Sequence, residues 1–141
     1  MATDATHRSL TGERVAAGTF AAVNDRGGRI VLGTGGGADF TPVELLMIAI
    51  AGCTAIDVDI LTSRRAEPDK FEIAVDADKV RDDAGIHLEN IEVTYRLSFP
   101  AGDAGDQARA ILPDAVQRSH DRLCTVSRTV ELPTPVATRI A

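Results

Sequence analysis

A chain of 141 residues, 44% hydrophobic and 26% charged, is about one domain's length and can bury a core without disulfide or metal staples. A net charge of -6 and a pI near 5.0 argue against nucleic acid and anionic membrane as partners, because basic patches hold both and none is visible. The opening "MATDATHRSLTGERV" carries no apolar h-region, so a cytoplasmic protein is expected, in a compartment where thiols stay reduced.

In chain order the pattern is α+β, with one domain expected over residues 1–141. "ERVAAGTFAAVN" and "RIVLG" read as short strand-like runs joined by the turn "NDRGG". The loop "GTGGGADF" leads to a long helix with a strong start: Thr41 as N-cap, Pro42 in the first helical position and Glu44 as the acid of a capping box. It is expected to stop near "RRAEPDK", where Pro68 disfavours helix before it. "FEIAVDADKV" and "LENIEVTYRLSF" alternate as half-buried strands, with Phe71, Ile73, Val75 and Ile91, Val93, Tyr95, Leu97 on the inner face. Helical spacing returns from Asp103 to Leu123, where Pro113 has to kink the helix or begin a second one. A short helix through "CTVSRTV" and a last strand through "PVATRIA" complete the expected elements.

The first helix, "TPVELLMIAIAGCTAIDVDIL", holds Gly52 and Cys53 at its centre. Its charge-free run, Leu45 to Ile56, falls short of the roughly 18 residues a bilayer requires, so a core helix is expected. From Val43 to Ile60 only Glu44, Asp57 and Asp59 are charged, so both sides of its middle need cover. A domain of this size rarely wraps a helix alone. A second copy of the chain is therefore expected to cover part of it, with Ala49, Ala51 and Gly52 allowing close approach.

"TPVELLMIAIAGC" together with "HDRLCTVSRTV" resembles the OsmC/Ohr family of peroxide-detoxifying proteins, whose helix opening N-P-E-x-L leads to one cysteine and whose later C-x-V-S carries another. The resemblance spans most of the chain, with the elements in the same order. It implies an OsmC-like fold in which two central helices pack against β-sheets in an intertwined homodimer, with active sites at the interface. By the same resemblance, Cys53 attacks an organic hydroperoxide, Cys124 resolves the product as a disulfide, and a dithiol is the reductant; no cofactor is implied. Attack on an O–O bond needs a thiolate, and a thiol of ordinary pKa is mostly protonated at neutral pH. Family members lower it with an arginine from the N-terminal β region and the glutamate after the motif proline.

The chain departs from that pattern: Val43 follows the proline, and the acid comes one residue later as Glu44. At about 100° per residue, nine residues put Glu44 and Cys53 on opposite faces. Glu44 thus has two readings, a capping acid and a catalytic group. For the arginine, Arg26 in the turn is the first candidate, with Arg14 and Arg29 as alternatives.

"GTGGG" lacks the Lys-Ser/Thr of a phosphate loop and reads as a plain loop. His120 and Cys124 are four apart, which allows a Cys-His pair unless the helix breaks at Cys124. His7, His87 and His120 have no metal-ligand spacing, so no metal site is expected. Asp57, one turn after Cys53, would raise the thiol pKa if it lay beside it, but an acid there is more often paired or solvated near the helix end. Two functions follow: a thiol peroxidase, and a non-enzymatic dimer that binds a small apolar or thiol-bearing ligand at its interface.

Overall fold

The computed structural model describes residues 6–141, and the chain falls into two compact units, Met1–Leu46 and Met47–Ala141. The stretch expected to lack a secretory signal begins with five residues outside the described ones.

In the N-terminal unit, β1 (Thr11–Ala16), β2 (Thr19–Val23) and β3 (Arg29–Leu32) form an antiparallel sheet in that order. The run "ERVAAGTFAAVN", read from the sequence as one strand-like run, is itself a hairpin. Gly18, at φ 65°, lets the chain reverse between Ala16 and Thr19, a conformation that costs other L-residues energy. In the turn "NDRGG" the Asn24 side-chain oxygen accepts the Arg26 and Gly28 amides at 3.0 and 2.8 Å. The "GTGGG" loop is closed at its ends, where the Gly33 amide donates to the Phe40 carbonyl at 2.9 Å. Helix α1 (Pro42–Ser63) then starts with the expected box: the Thr41 amide donates to Glu44 Oε1 at 2.9 Å and the Glu44 amide to Thr41 Oγ1 at 3.1 Å.

Most of α1 belongs to the C-terminal unit. Ile50, Ala51, Thr54, Val58 and Thr62 form its buried face, at the spacing of helical turns. Another face stays open: Ile48, Ile56 and Ile60 are 42%, 63% and 50% exposed. Length and composition alone would let α1 cross a membrane, with a mean hydropathy of 1.9 in its most apolar window.

The strands β4 (Lys70–Asp82) and β5 (Gly85–Ser98) pair antiparallel and set Phe71 opposite Leu97, Ile73 opposite Tyr95 and Val75 opposite Val93. The inner face expected from alternation is thus in register across the hairpin. Helix α2 (Asp103–Arg118) runs through Pro113, and no second helix begins there. Pro113 is exposed, on a side of the helix where a lost backbone bond is least costly. The irregularity comes later, as a π turn over Ser119–Leu123, and α3 (Thr125–Glu131) follows as expected. The strand expected through "PVATRIA" is absent. Its backbone pairs with no strand among the described residues, and Val136 and Ile140 are 88% and 100% exposed. Pro133 and Pro135 have no amide to give a ladder.

Candidate functional site

The π turn and α1 bring the two cysteines together. Ser119, fully buried, donates its hydroxyl to Asp57 Oδ2 at 2.8 Å, which ties the turn to α1 one helical turn beyond Cys53. The wider ring of the π turn closes where the Cys124 amide donates to the Ser119 carbonyl at 2.8 Å. Cys124 then leaves helical geometry (φ -76°, ψ 100°) and serves as N-cap of α3, its Sγ accepting the Ser127 amide at 3.3 Å. The Cys53 and Cys124 thiols lie near enough for each to shift the other's ionisation. Cys53 is half-buried and Cys124 fully buried.

The surroundings divide the two thiols. Burial pushes the Cys53 thiol up, and donation of its S–H to Cys124 pushes it further. The Val126 amide opposes this, while the negative charges of Cys124 and Asp57 add to the rise. Both readings of Asp57 are met: it is paired with Ser119, and its charge adds to the rise of the Cys53 pKa. For Cys124, burial also acts upward, but four donors outweigh it: the Cys53 thiol, the Ser127 hydroxyl, the Ser127 amide and the Thr54 hydroxyl. Its pKa ends below the ordinary cysteine value. The phenol of Tyr95 on β5 is raised chiefly by burial, which the Thr54 hydroxyl opposes.

A cleft of about 480 Å³ adjoins this cluster, with Ile50, Val93 and Val130 among its apolar walls and Tyr95 on β5. It reaches Thr54 and Ser127, two of the donors to Cys124.

The other sequence candidates have local partners. Glu44, in the N-terminal unit, is held below the usual carboxylate range by the Thr41 amide and hydroxyl. Arg26, also in that unit, is exposed in its turn, and Arg14 and Arg29 lie exposed in β1 and at the start of β3. His120 does not pair with Cys124. Its Nδ1 meets Asp121 Oδ1 at 3.0 Å and its Nε2 meets Glu131 Oε1 at 2.8 Å. His87 is less isolated than its sequence position implied, because the β4–β5 hairpin brings Asp82 and Glu89 to it, with ligand atoms within 4.8 Å of one another. Its ring is already engaged, Nδ1 with the Gly85 carbonyl at 3.2 Å and Nε2 with Glu89 at 2.9 Å.

Both rings sit against acceptors on each nitrogen, the arrangement of an imidazolium. The hydrogen bond to Glu89 raises the His87 pKa and that to Asp121 the His120 pKa, each from an ordinary value of 6.5. Because the folded pKa is the higher one, the associated stabilisation is complete below the unfolded value and is lost as pH rises through the folded one. NMR titration is expected to give both imidazoles midpoints above 6.5; a midpoint at or below it would contradict the paired geometry.

The sequence did not single out Ser119, Thr54 or Tyr95. Ser127 stood in the quoted C-x-V-S, and its spacing from Cys124 is that of an N-cap and its amide donor. Ser119 carried no such signal, because the π turn that aims it is set by tertiary packing.

No curated protein matches the chain. Among solved structures, a hypothetical protein from Aquifex aeolicus superposes with a TM-score of 0.71 at 23% identity, over 89% of this chain and 87% of that one. An OsmC-like protein from Mycoplasma pneumoniae gives 0.68 at 14%, over 91% and 89%. The organic hydroperoxide resistance protein OhrB of Bacillus subtilis gives 0.54 at 19%, over 87% and 89%. At these identities the likeness is one of fold. The sequence profile described as OsmC-like protein matches residues 34–139, which take in both cysteines and every element from α1 onward, and the chain belongs to that family.

Proposed function

We propose that the protein is a thiol-dependent reductase of organic hydroperoxides, in which Cys53 attacks the peroxide and Cys124 resolves the sulfenic acid as a disulfide. The observation that carries this reading is the juxtaposition of two thiols from distant parts of the chain, near enough to shift each other's ionisation, one half-buried and one fully buried. Oxidation of the more open sulfur leaves a sulfenic acid already beside its partner, and condensation protects it from further oxidation. A dithiol then reduces the disulfide. The solved structures named organic hydroperoxide resistance proteins share the fold and support the substrate class. In this reading Glu44 caps α1 and Arg26 holds a turn, and neither carries the chemistry.

Steady-state consumption of cumene hydroperoxide with a dithiol tests the proposal. Consumption well beyond one equivalent is expected, and Glu44→Gln and Arg26→Ala should retain it rather than lose the roughly 100-fold typical of a proton-transfer group. Consumption that stops at or below one equivalent would sink it. The raised Cys53 pKa and the adjoining cleft favour a second reading, a dimer that binds a small apolar or thiol-bearing ligand without turnover. That same result would support it.

The reading also places the protein in the cytoplasm as a homodimer built around α1. Ile48, Gly52, Ile56 and Ile60 follow one another at four-residue spacing on α1, and the three isoleucines are exposed. An added Cβ at Gly52 meets nothing within 4 Å in the chain itself. In a monomer, Gly52→Ala would therefore gain about 1 kcal/mol from helix propensity. With a second helix seated there it is expected to weaken association instead, seen by sedimentation at low micromolar concentration. A wild-type monomer, or a more stable variant with unchanged mass, would contradict the dimer.

A further inference from the structure

The turn end of the β4–β5 hairpin gathers acids on one face. The register sets Asp78 opposite Glu89, Val80 opposite His87 and Asp82 opposite Gly85, and the alternation of a strand puts these six residues on the same side. Lys79 and Arg81, the basic residues of this part of β4, fall on the other side. Three carboxylates thus share a face with one imidazole, and Asp78 directly opposes Glu89, a like-charge pair that weakens a ladder. Asn90 relieves Asp78 by donating its side-chain amide to Oδ2 at 2.9 Å. Asp82 and Glu89 converge instead on His87. Asp82 Oδ1 accepts the Ala84 amide at 2.8 Å, which leaves Oδ2 facing His87 Nε2 at 3.7 Å, and Glu89 Oε1 lies 2.9 Å from the same nitrogen.

The ring is fixed from its far side by a group outside this cluster. His87 Nδ1 lies 3.2 Å from the Gly85 carbonyl, which can only accept, so the neutral ring keeps its proton on Nδ1 and turns the Nε2 lone pair toward both carboxylates. A backbone carbonyl on the second nitrogen is the usual way a metal-bound imidazole is oriented. A lone pair aimed at two anions calls for a cation between them. A proton fills that place in the acid form of the ring, and a divalent ion can fill it in the neutral form. The spacing suits zinc: bonds of about 2.1 Å to nitrogen and oxygen put tetrahedral ligand atoms about 3.4 Å apart, a value the observed 2.9 and 3.7 Å bracket. All three ligand atoms lie within 4.8 Å of one another, and the two exposed carboxylates can close the remaining gap by side-chain rotation. An imidazole nitrogen in the set favours zinc over magnesium and calcium, which take oxygen ligands.

We propose that Asp82, His87 and Glu89 form a zinc site that clips β4 to β5 at the turn end of the hairpin, with water completing the coordination. Asp82 comes from β4 and the other two ligands from β5, so the ion ties the strands together across the ladder. The two carboxylates balance its charge. β4 and β5 pair only with each other, and a two-stranded ribbon holds poorly by its own pairing, so a cross-strand ion at its end has something to stabilise. Residue spacing alone carries no metal motif here, because Asp82 meets His87 only through the hairpin register. The site is separate from the cysteine pair and stands whether or not peroxide is reduced.

Zinc chloride titrated into the full chain in neutral buffer, followed by NMR of the imidazole and backbone resonances, tests the site. Micromolar zinc should shift the His87 ring and the amides from Asp82 to Glu89, whatever the thiols also bind. Thiolates are zinc ligands too, so the titration is repeated on Cys53→Ser/Cys124→Ser, where the His87 shift should persist. His87→Ala should abolish the response of the hairpin amides, and Glu89→Gln should weaken binding there by at least about tenfold, because an amide oxygen replaces a carboxylate. Magnesium chloride in excess should not displace the zinc. A response confined to His120 or the cysteines while His87 stays unmoved overturns the proposal. So does a His87 shift that Glu89→Gln leaves unchanged, or one that needs millimolar zinc, which would mark adventitious binding to an exposed imidazole.

Discussion

Replacing Cys53 with serine is expected to remove hydroperoxide turnover, a loss of at least about 1,000-fold, because a serine hydroxyl in this site has no comparable nucleophilicity. Cys124→Ser is expected to behave differently. Its Cys53 remains half-buried and reachable, so one equivalent of peroxide is reduced and the protein then stalls with Cys53 as the sulfenic acid. Rapid-mixing consumption assays separate the two variants. Equal, full activity in both would remove the cysteines from the chemistry, and a Cys124→Ser variant that turns over as fast as wild type would show that no resolving thiol is needed.

Gly105→Ala is expected to be the most disruptive of the conservative changes, against the prediction of helix propensity. Gly105 lies in the first turn of α2, where alanine would ordinarily gain about 1 kcal/mol. Here an added Cβ would sit 1.7 Å from the Pro100 carbonyl oxygen and 2.9 Å from its carbon. These are backbone atoms, and they are held: Phe99 is buried, and Arg109 donates to the Phe99 and Pro100 carbonyls at 3.2 and 3.5 Å. The segment from Phe99 to Gly102 must move, and the net effect expected is a loss of about 2–4 kcal/mol. Thermal melting should show a fall of roughly 5–15 °C. An unchanged or raised melting temperature would mean that the loop before α2 is looser than its contacts imply.

Legibility in the sequence followed the range of the forces involved. The capping box at Thr41 and Glu44, the inner faces of β4 and β5 and the start of α3 at Cys124 are local signals, and each appears as read. The run "ERVAAGTFAAVN" was read as one strand-like run because a run with one small turn residue, Gly18, looks continuous when no register is available. The last strand failed for a different reason. Apolar alternation in "PVATRIA" describes a strand only where a sheet edge accepts it. In the site, residue type and motif brought out both cysteines and the opposing influence of Asp57. The surroundings of the two cysteines were out of reach, because Thr54, Tyr95 and Ser119 come from three different elements and meet only through packing.

The central claim is that Cys53 and Cys124 of one chain act as a single redox pair, and non-reducing peptide mass mapping after one equivalent of cumene hydroperoxide tests it most directly. The account predicts an intact mass lower by two hydrogens, with Cys53 and Cys124 joined in one cross-linked peptide from a single chain. Both thiols recovered free, or Cys53 carried to sulfinic acid with Cys124 still reduced, would contradict it.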